Sequence, residues 1–270
     1  MTATMTDRAT STLVTYRKDG NVAVFELNDP PANTYTHDMM RQLDECVLRA
    51  RFDNDVQVIV IRGAGSKFFS AGANIRMLNE VDPTFKYYFC LHANETLSRL
   101  EQTPKLVIAA INGHCVGGGL EIAMAYDIRI ARQEAGKIGL PEVNLGVLPG
   151  TGGTQRLARL VGKAKAIELM VTGRTFSFEE AQSLGIVNEV YPKDEWWENV
   201  MLYARQFCLP NKAAMAVGHI KRAVQSGAEV SFEYGLAMER ELQSLLFKSA
   251  DAKEGIGAYV EKRQPTFTGR

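Results

Sequence analysis

The sequence has no charge surplus of either sign: 31 Lys and Arg stand against 31 Asp and Glu. A chain whose main partner is a polyanion carries a basic excess, so nucleic acid is excluded as the principal ligand. No apolar run approaches the ~20 residues that a membrane-spanning helix needs. The opening residues, Met1 to Arg8, lack the apolar centre of a secretion signal. Cysteine is scarce, with Cys46, Cys90, Cys115 and Cys208 far apart and no C-x-x-C among them. That spacing fits neither a zinc ribbon nor a disulfide framework and points to the reducing cytoplasm. His37, His92, His114 and His219 are scattered, with no H-x-x-x-H, so no metal is expected. Walker-type phosphate loops are absent. The string Gly63-Ala-Gly-Ser-Lys-Phe68 fails as a dinucleotide fingerprint, because its sixth position is Phe and no helical pattern follows.

What is present is a 270-residue chain with 46% hydrophobic residues, enough for a sizeable core. Val22–Leu27, Val56–Arg62, Leu106–Ile111 and Ile128–Ala131 are rich in β-branched or aliphatic residues and predict strands. His37–Ala50 and Phe85–Leu100 predict helices between them. Strand–strand–helix units recurring at irregular spacing imply a stacked or spiral α/β arrangement. After Glu195 the pattern is helical throughout. Trp197, Val200, Met201 and Ala204 share one face, and Phe232, Leu236, Leu242 and Leu246 lie along another. The chain therefore divides into a spiral core (1–195) and a helical region (196–270) that either covers the core or makes contacts between subunits. Ser177 with Glu180, and Asp251 with Glu254, have the spacing of capping boxes.

Two glycine-rich turns carry the chemistry. In Asn112-Gly-His-Cys-Val-Gly-Gly-Gly-Leu-Glu121, three glycines precede a helical segment. Glycine is costly there unless backbone passes close to something. An N–H aimed at a developing negative charge and tight helix–strand packing account for it equally well. The turn Ser70-Ala-Gly-Ala-Asn-Ile75 is similarly small, and N–H groups from two loops can converge on one oxygen as an oxyanion hole. Two acids stand out. Glu121 falls in the first turn after the glycines, and Glu142 sits between Pro141 and Val143 in an apolar stretch. Facing one pocket, such a pair has at least one raised pKa and can protonate carbon while activating water. His114 and Cys115 are neighbours on a strand and point apart, so they are assigned to packing.

Together these motifs, in order and over nearly the whole chain, resemble the crotonase (enoyl-CoA hydratase/isomerase) superfamily, and within it the enoyl-CoA hydratases. The resemblance implies a spiral of ββα units with a C-terminal helical trimerisation region, assembled as a homotrimer or as a hexamer of two trimers. It implies an acyl-CoA substrate in fatty-acid β-oxidation, with coenzyme A entering as part of the substrate and no separate cofactor. Ala73 and Gly118 match the oxyanion amides, Glu121 and Glu142 the catalytic acids, and Gly150 a water-positioning amide. Ala32, Ala71, Asn74, Ile75, Arg76, Tyr259 and Lys262 match coenzyme A or substrate contacts, the last two in some members from a neighbouring subunit. Both acids favour hydration of a trans-2-enoyl-CoA to a 3-hydroxyacyl-CoA. Isomerisation, thioester hydrolysis or ring hydration on the same scaffold is the alternative. Two positions depart from the pattern: Asn74 replaces the usual Asp, and Arg76 a common Lys. Some relatives bind RNA, but here Arg156, Arg159, Lys163 and Lys165 form only one modest basic cluster, expected to be a solvated helix side.

Overall fold

The computed structural model describes residues 11–270, so the Met1–Arg8 segment lies outside the described residues. Nine strands form two sheets. The larger is built from β1 (Val14–Asp19), β2 (Val22–Leu27), β3 (Val58–Gly63), β5 (Leu106–Ile111), β7 (Ile128–Arg132) and β9 (Glu189–Tyr191), in that order. The smaller stacks β4 (Phe68–Ser70), β6 (His114–Val116) and β8 (Ile138–Gly139). Only β1–β2 is antiparallel. Each coil lays one strand in the large sheet, turns, and lays a short strand in the small one, so β3–β4, β5–β6 and β7–β8 stack in step. Helices complete the coils: α1 (His37–Phe52), α2 (Ile75–Glu80), α3 (Pro83–Glu101), α4 (Gly118–Met124), α5 (Gly153–Val161), α6 (Lys163–Thr172) and α7 (Phe178–Ser183). This is the spiral of ββα units that the sequence predicts.

Strand alternation puts each strand's side chains on both faces of the sheet. Phe25, Ile59, Ile61, Val107, Ala109 and Ile111 join the main core with α1 and α3. Val24, Val58, Val60, Leu106, Ile108 and Ile130 are covered on the other face by α8 (Trp196–Arg205) through Trp196, Val200, Met201 and Ala204. Trp196 is the fully buried member, and Trp197 is half-buried against the same cluster.

The remaining helices are α9 (Ala214–Gly227), α10 (Phe232–Phe247) and α11 (Ala250–Glu261). They are less covered: on α10 only Leu242 is buried, while Phe232 and Tyr234 stand exposed. One capping assignment is corrected. Ser177 caps α7 as expected, accepting from the Glu180 N–H. In contrast, α11 is capped by Ser249, not Asp251. Asp251 is instead buried and accepts from Thr268 N–H, Thr268 hydroxyl and Gly269 N–H, while Glu254 pairs with Arg263. Among the described residues no helix is long and apolar enough to cross a membrane.

The turns leaving β3 and β5 lead through β4 and β6 into the two glycine-rich loops, and one side chain ties them. The Asn112 carboxamide accepts from Gly63 N–H at 3.0 Å and donates to the Gly63 and Gly65 carbonyls at 2.8 Å. All three bonds lie where water has little access. Asn112→Ala should lower stability by ~1–3 kcal/mol, the cost of leaving buried backbone groups unpaired. A urea midpoint unchanged by this substitution would show that the loops hold without it.

Candidate active site

The short helix α4 begins where the glycines end, and each glycine has a different reason. Gly117 has φ +56°, a left-handed conformation that side chains resist. A Cβ on it would also come within 2.9 Å of Glu142 Oε1. Gly119 packs directly against the Ser70 carbonyl, leaving no space for a side chain. Gly118 lies against the Tyr35 ring and presents its N–H, the first of the helix, to a cavity. The two readings of this motif are thus both realised, by different glycines.

That N–H has no acceptor among the described residues, and neither has Ala73 N–H. Both residues line the same cavity of about 390 Å³. The neighbours of Ala73 are pinned: Tyr35 N–H donates to the Gly72 carbonyl at 2.9 Å and Asn74 N–H to the Tyr35 carbonyl at 3.0 Å. Two free amides from separate loops facing one space are what an oxyanion hole requires. Behind them the helix's positive end adds to the field, and Arg129, buried, donates to the Ala123 carbonyl near the far end of α4.

Both acids face this cavity. Glu121 is only 2% exposed; its Oε1 accepts from Thr151 N–H and Gly153 N–H, each at 2.7 Å. Burial nevertheless dominates and, with the Glu142 charge adding to it, pushes its carboxyl up to about 7 against the two bonds that favour the anion. Glu142 opens a single 3-10 turn at Glu142–Leu145, is half-buried, and is also raised by burial. Its Oε2 is buried with no hydrogen-bond partner. An oxygen buried without a donor favours the protonated carboxyl.

Ala71, Ala73, Ile75, Gly118, Glu121, Glu142 and Gly150 are brought together around the cavity. Ala32, Asn74, Arg76, Tyr259 and Lys262 are not among its lining residues. Ala32 supports the wall from behind, its carbonyl accepting from Ala71 N–H. Asn74 caps α2 by accepting from Met77 N–H and donates to Thr34, and Asn performs that task as well as Asp. Arg76 is exposed, and Tyr259 and Lys262 end the exposed α11. Of the aromatic run on α3, Phe89 lines the cavity, whereas Tyr87 and Tyr88 point to solvent. The basic cluster is not a solvated side as a whole: Arg156 is largely buried and grips Glu101 at 2.7 and 2.8 Å, while Arg159 pairs with Glu229. His114 serves packing, its Nδ1 accepting from Lys137 N–H. Tyr35, Thr151, Lys86, Cys90 and Leu148 also line the cavity and were not anticipated. The oxygen-bearing pair Tyr35 and Thr151 is 116 residues apart, so no local pattern announces it. Among the described residues no cluster of three His, Cys, Asp or Glu is placed to hold a metal.

The enoyl-CoA hydratase/isomerase family model matches residues 17–270. The chain belongs to that family. A probable enoyl-CoA hydratase of Bacillus subtilis is 41% identical over 254 residues, covering 93% of this chain and 96% of the relative. A short-chain-enoyl-CoA hydratase of Clostridium acetobutylicum is 38% identical over 252 residues, covering 93% and 95%. A crystal structure of an enoyl-CoA hydratase from Geobacillus kaustophilus superposes with a TM-score of 0.94 at 45% identity, covering 97% of this chain and 98% of that one. The protein is an enzyme with the crotonase fold, of a family whose hydratases are hydro-lyases.

A buried acid raised from 4.5 to about 7 destabilises the folded state once the unfolded chain can ionise it. The native protein then binds more protons than the unfolded one, so stability falls as pH rises through that window. The penalty approaches ~3 kcal/mol above pH 7, at 1.36 kcal/mol per pKa unit. Glu121→Gln keeps an oxygen for both N–H groups and removes the charge. Its thermal midpoint should exceed the wild type's at pH 8 and converge with it as pH falls toward 4.5. A constant difference across that range would refute the assignment of a buried, reluctant anion.

Proposed function

We propose that the protein hydrates trans-2-enoyl-CoA thioesters to 3-hydroxyacyl-CoA. The observation that carries this is the meeting, in one apolar cavity, of two acceptor-less amides with a buried and a half-buried acid. A thioester oxygen between Ala73 N–H and Gly118 N–H draws electron density from the conjugated double bond, making the β-carbon electrophilic. Each such donor is worth ~2.7–4 kcal/mol in the transition state. Glu121, held as the anion by Thr151 and Gly153, takes a proton from water as the oxygen bonds to the β-carbon. Glu142 gives its proton to the α-carbon as the enolate collapses. One water is added across the double bond; Glu121 is left protonated and Glu142 ionised, and exchange with solvent restores both. Gly150, at the cavity edge, offers backbone to hold that water. The substrate brings its own coenzyme A, and no further cofactor enters the scheme.

The helical region exposes many large apolar side chains: Ile220 and Val224 on α9, Phe232 and Tyr234 on α10, Tyr259 and Val260 on α11. Extensive apolar surface on a folded protein is usually covered by a partner. A second and third copy of this chain, as a trimer or a pair of trimers, would cover it and could bring Tyr259 and Lys262 to a neighbour's coenzyme A. The four free thiols fit a cytoplasmic enzyme.

Crotonyl-CoA incubated with the enzyme should gain the mass of one water; an unchanged mass or released free coenzyme A would instead identify isomerisation or hydrolysis. Glu142→Gln should lower hydration at least ~100-fold with ligand binding nearly intact. In the wild type kcat should rise with pH through about 7 as Glu121 ionises. By light scattering, the particle should weigh three or six times 29.9 kDa, and a monomer would overturn the assembly.

A further inference from the structure

Tyr35 touches both amide-bearing loops and the loop that holds Glu121, although it belongs to neither glycine-rich turn. Its backbone pairs on both sides of Ala73, through the Gly72 carbonyl and the Asn74 N–H. Its ring fills the space where Gly118 would carry a Cβ, and the hydroxyl oxygen would lie 2.6 Å from that atom. The ring is itself held by Phe89, with centroids 5.4 Å apart and planes 22° from parallel. The hydroxyl meets Thr151 Oγ1 at 2.8 Å, and Thr151 N–H is one of the two donors on Glu121. Tyr35 and Thr151 are 2% and 1% exposed, and both line the catalytic cavity.

Hydrogen counting adds a second fact. Two hydroxyls bring two protons, and the bond between them uses one. The other proton has no acceptor among the described residues, so the cavity is the place left for it. There it can donate to the water held by Glu121.

We propose that Tyr35 is a positioning residue for the reaction: its ring and backbone set the two oxyanion amides, and its hydroxyl, through Thr151, holds the loop that grips Glu121. This rests on the hydratase reading for its effect on turnover, but not for its effect on Glu121. The other side-chain contacts of that loop are Arg156 Nη1 to the Thr151 carbonyl at 3.1 Å and Asn94 to the Gly150 carbonyl at 3.4 Å, while the Gly152 carbonyl accepts from Gln155 and Arg156 N–H. The charged and titratable groups facing Glu121 are Glu142, Arg156, Cys90 and Tyr35 itself.

Tyr35→Phe removes one oxygen and keeps the ring. With crotonyl-CoA it should reduce kcat ~10–100-fold at nearly unchanged KM, the scale of a displaced reacting group. Because the Thr151 and Gly153 bonds favour the Glu121 anion, loosening their loop should move the acid limb of kcat upward from about 7. Thr151→Val should reproduce both effects, Thr151→Ser should restore them, and the double variant should be no worse than either single one. A fall in kcat with the acid limb unmoved, or additive losses, would reduce Tyr35 to a packing residue and overturn the proposal. Titration of the Glu121 carboxyl by carbon NMR in the free protein separates the two readings. If wild type fails to hydrate crotonyl-CoA, the proposed function falls, yet an upward shift of Glu121 in Tyr35→Phe still supports its positioning role. An identical titration in both proteins overturns it.

Discussion

Two peptide N–H groups are kept waiting in this fold. A buried amide without an acceptor is normally a defect costing ~1–3 kcal/mol, and here two from loops about 45 residues apart in the chain open onto one cavity. Much of the local architecture follows from holding them. The three glycines at the head of α4 let that helix start hard against Ser70, Tyr35 and Glu142. Asn112 ties the turns that lead into both loops. The paired backbone of Tyr35 brackets Ala73, so that its N–H cannot turn inward to a strand partner.

The same economy governs the acids. Glu121 is placed where burial opposes its charge and two backbone donors support it, and the balance leaves its proton affinity near neutrality. Glu142 receives no such support on Oε2 and is raised by burial as well. Identical side chains therefore meet different surroundings, and the proposed reaction assigns proton acceptance to one and proton donation to the other. No metal-ligand geometry is needed for that division, because the solvent exclusion and the backbone donors supply the difference.

The strands β2, β3, β5 and β7, the first two large helices and the spiral class were legible because their patterns are local: aliphatic runs of five or six residues, or apolar residues three and four apart. Strand β1, whose second half is Arg-Lys-Asp, carries no such run. The glycine loops and both acids were legible as motifs, and Glu142 also by its apolar company. Less was readable where structure depends on distant neighbours. The strands of the small sheet are two or three residues long and have no period of their own; they exist because the coils stack. Asp251 has the spacing of a cap, yet the returning chain at Thr268 and Gly269 takes its carboxylate and leaves the cap to Ser249. Arg156 looks like one cation among several until Glu101 closes on it. The meeting of Tyr35 with Thr151 is tertiary in the same sense.

The segment Leu145–Leu148 is a wall of the cavity that belongs to no strand and to no long helix. Its apolar side chains at Leu145, Val147 and Leu148 remain largely exposed. The opposite side, with the amides and Glu121, is anchored by stacked coils and helix ends. Because Glu142 opens the 3-10 turn at the head of this segment, the short apolar flap is tethered at one end to a group the proposed reaction uses. Its far end, Val147 and Leu148, is the part that a lineage can redraw with least disturbance to the groups across the gap.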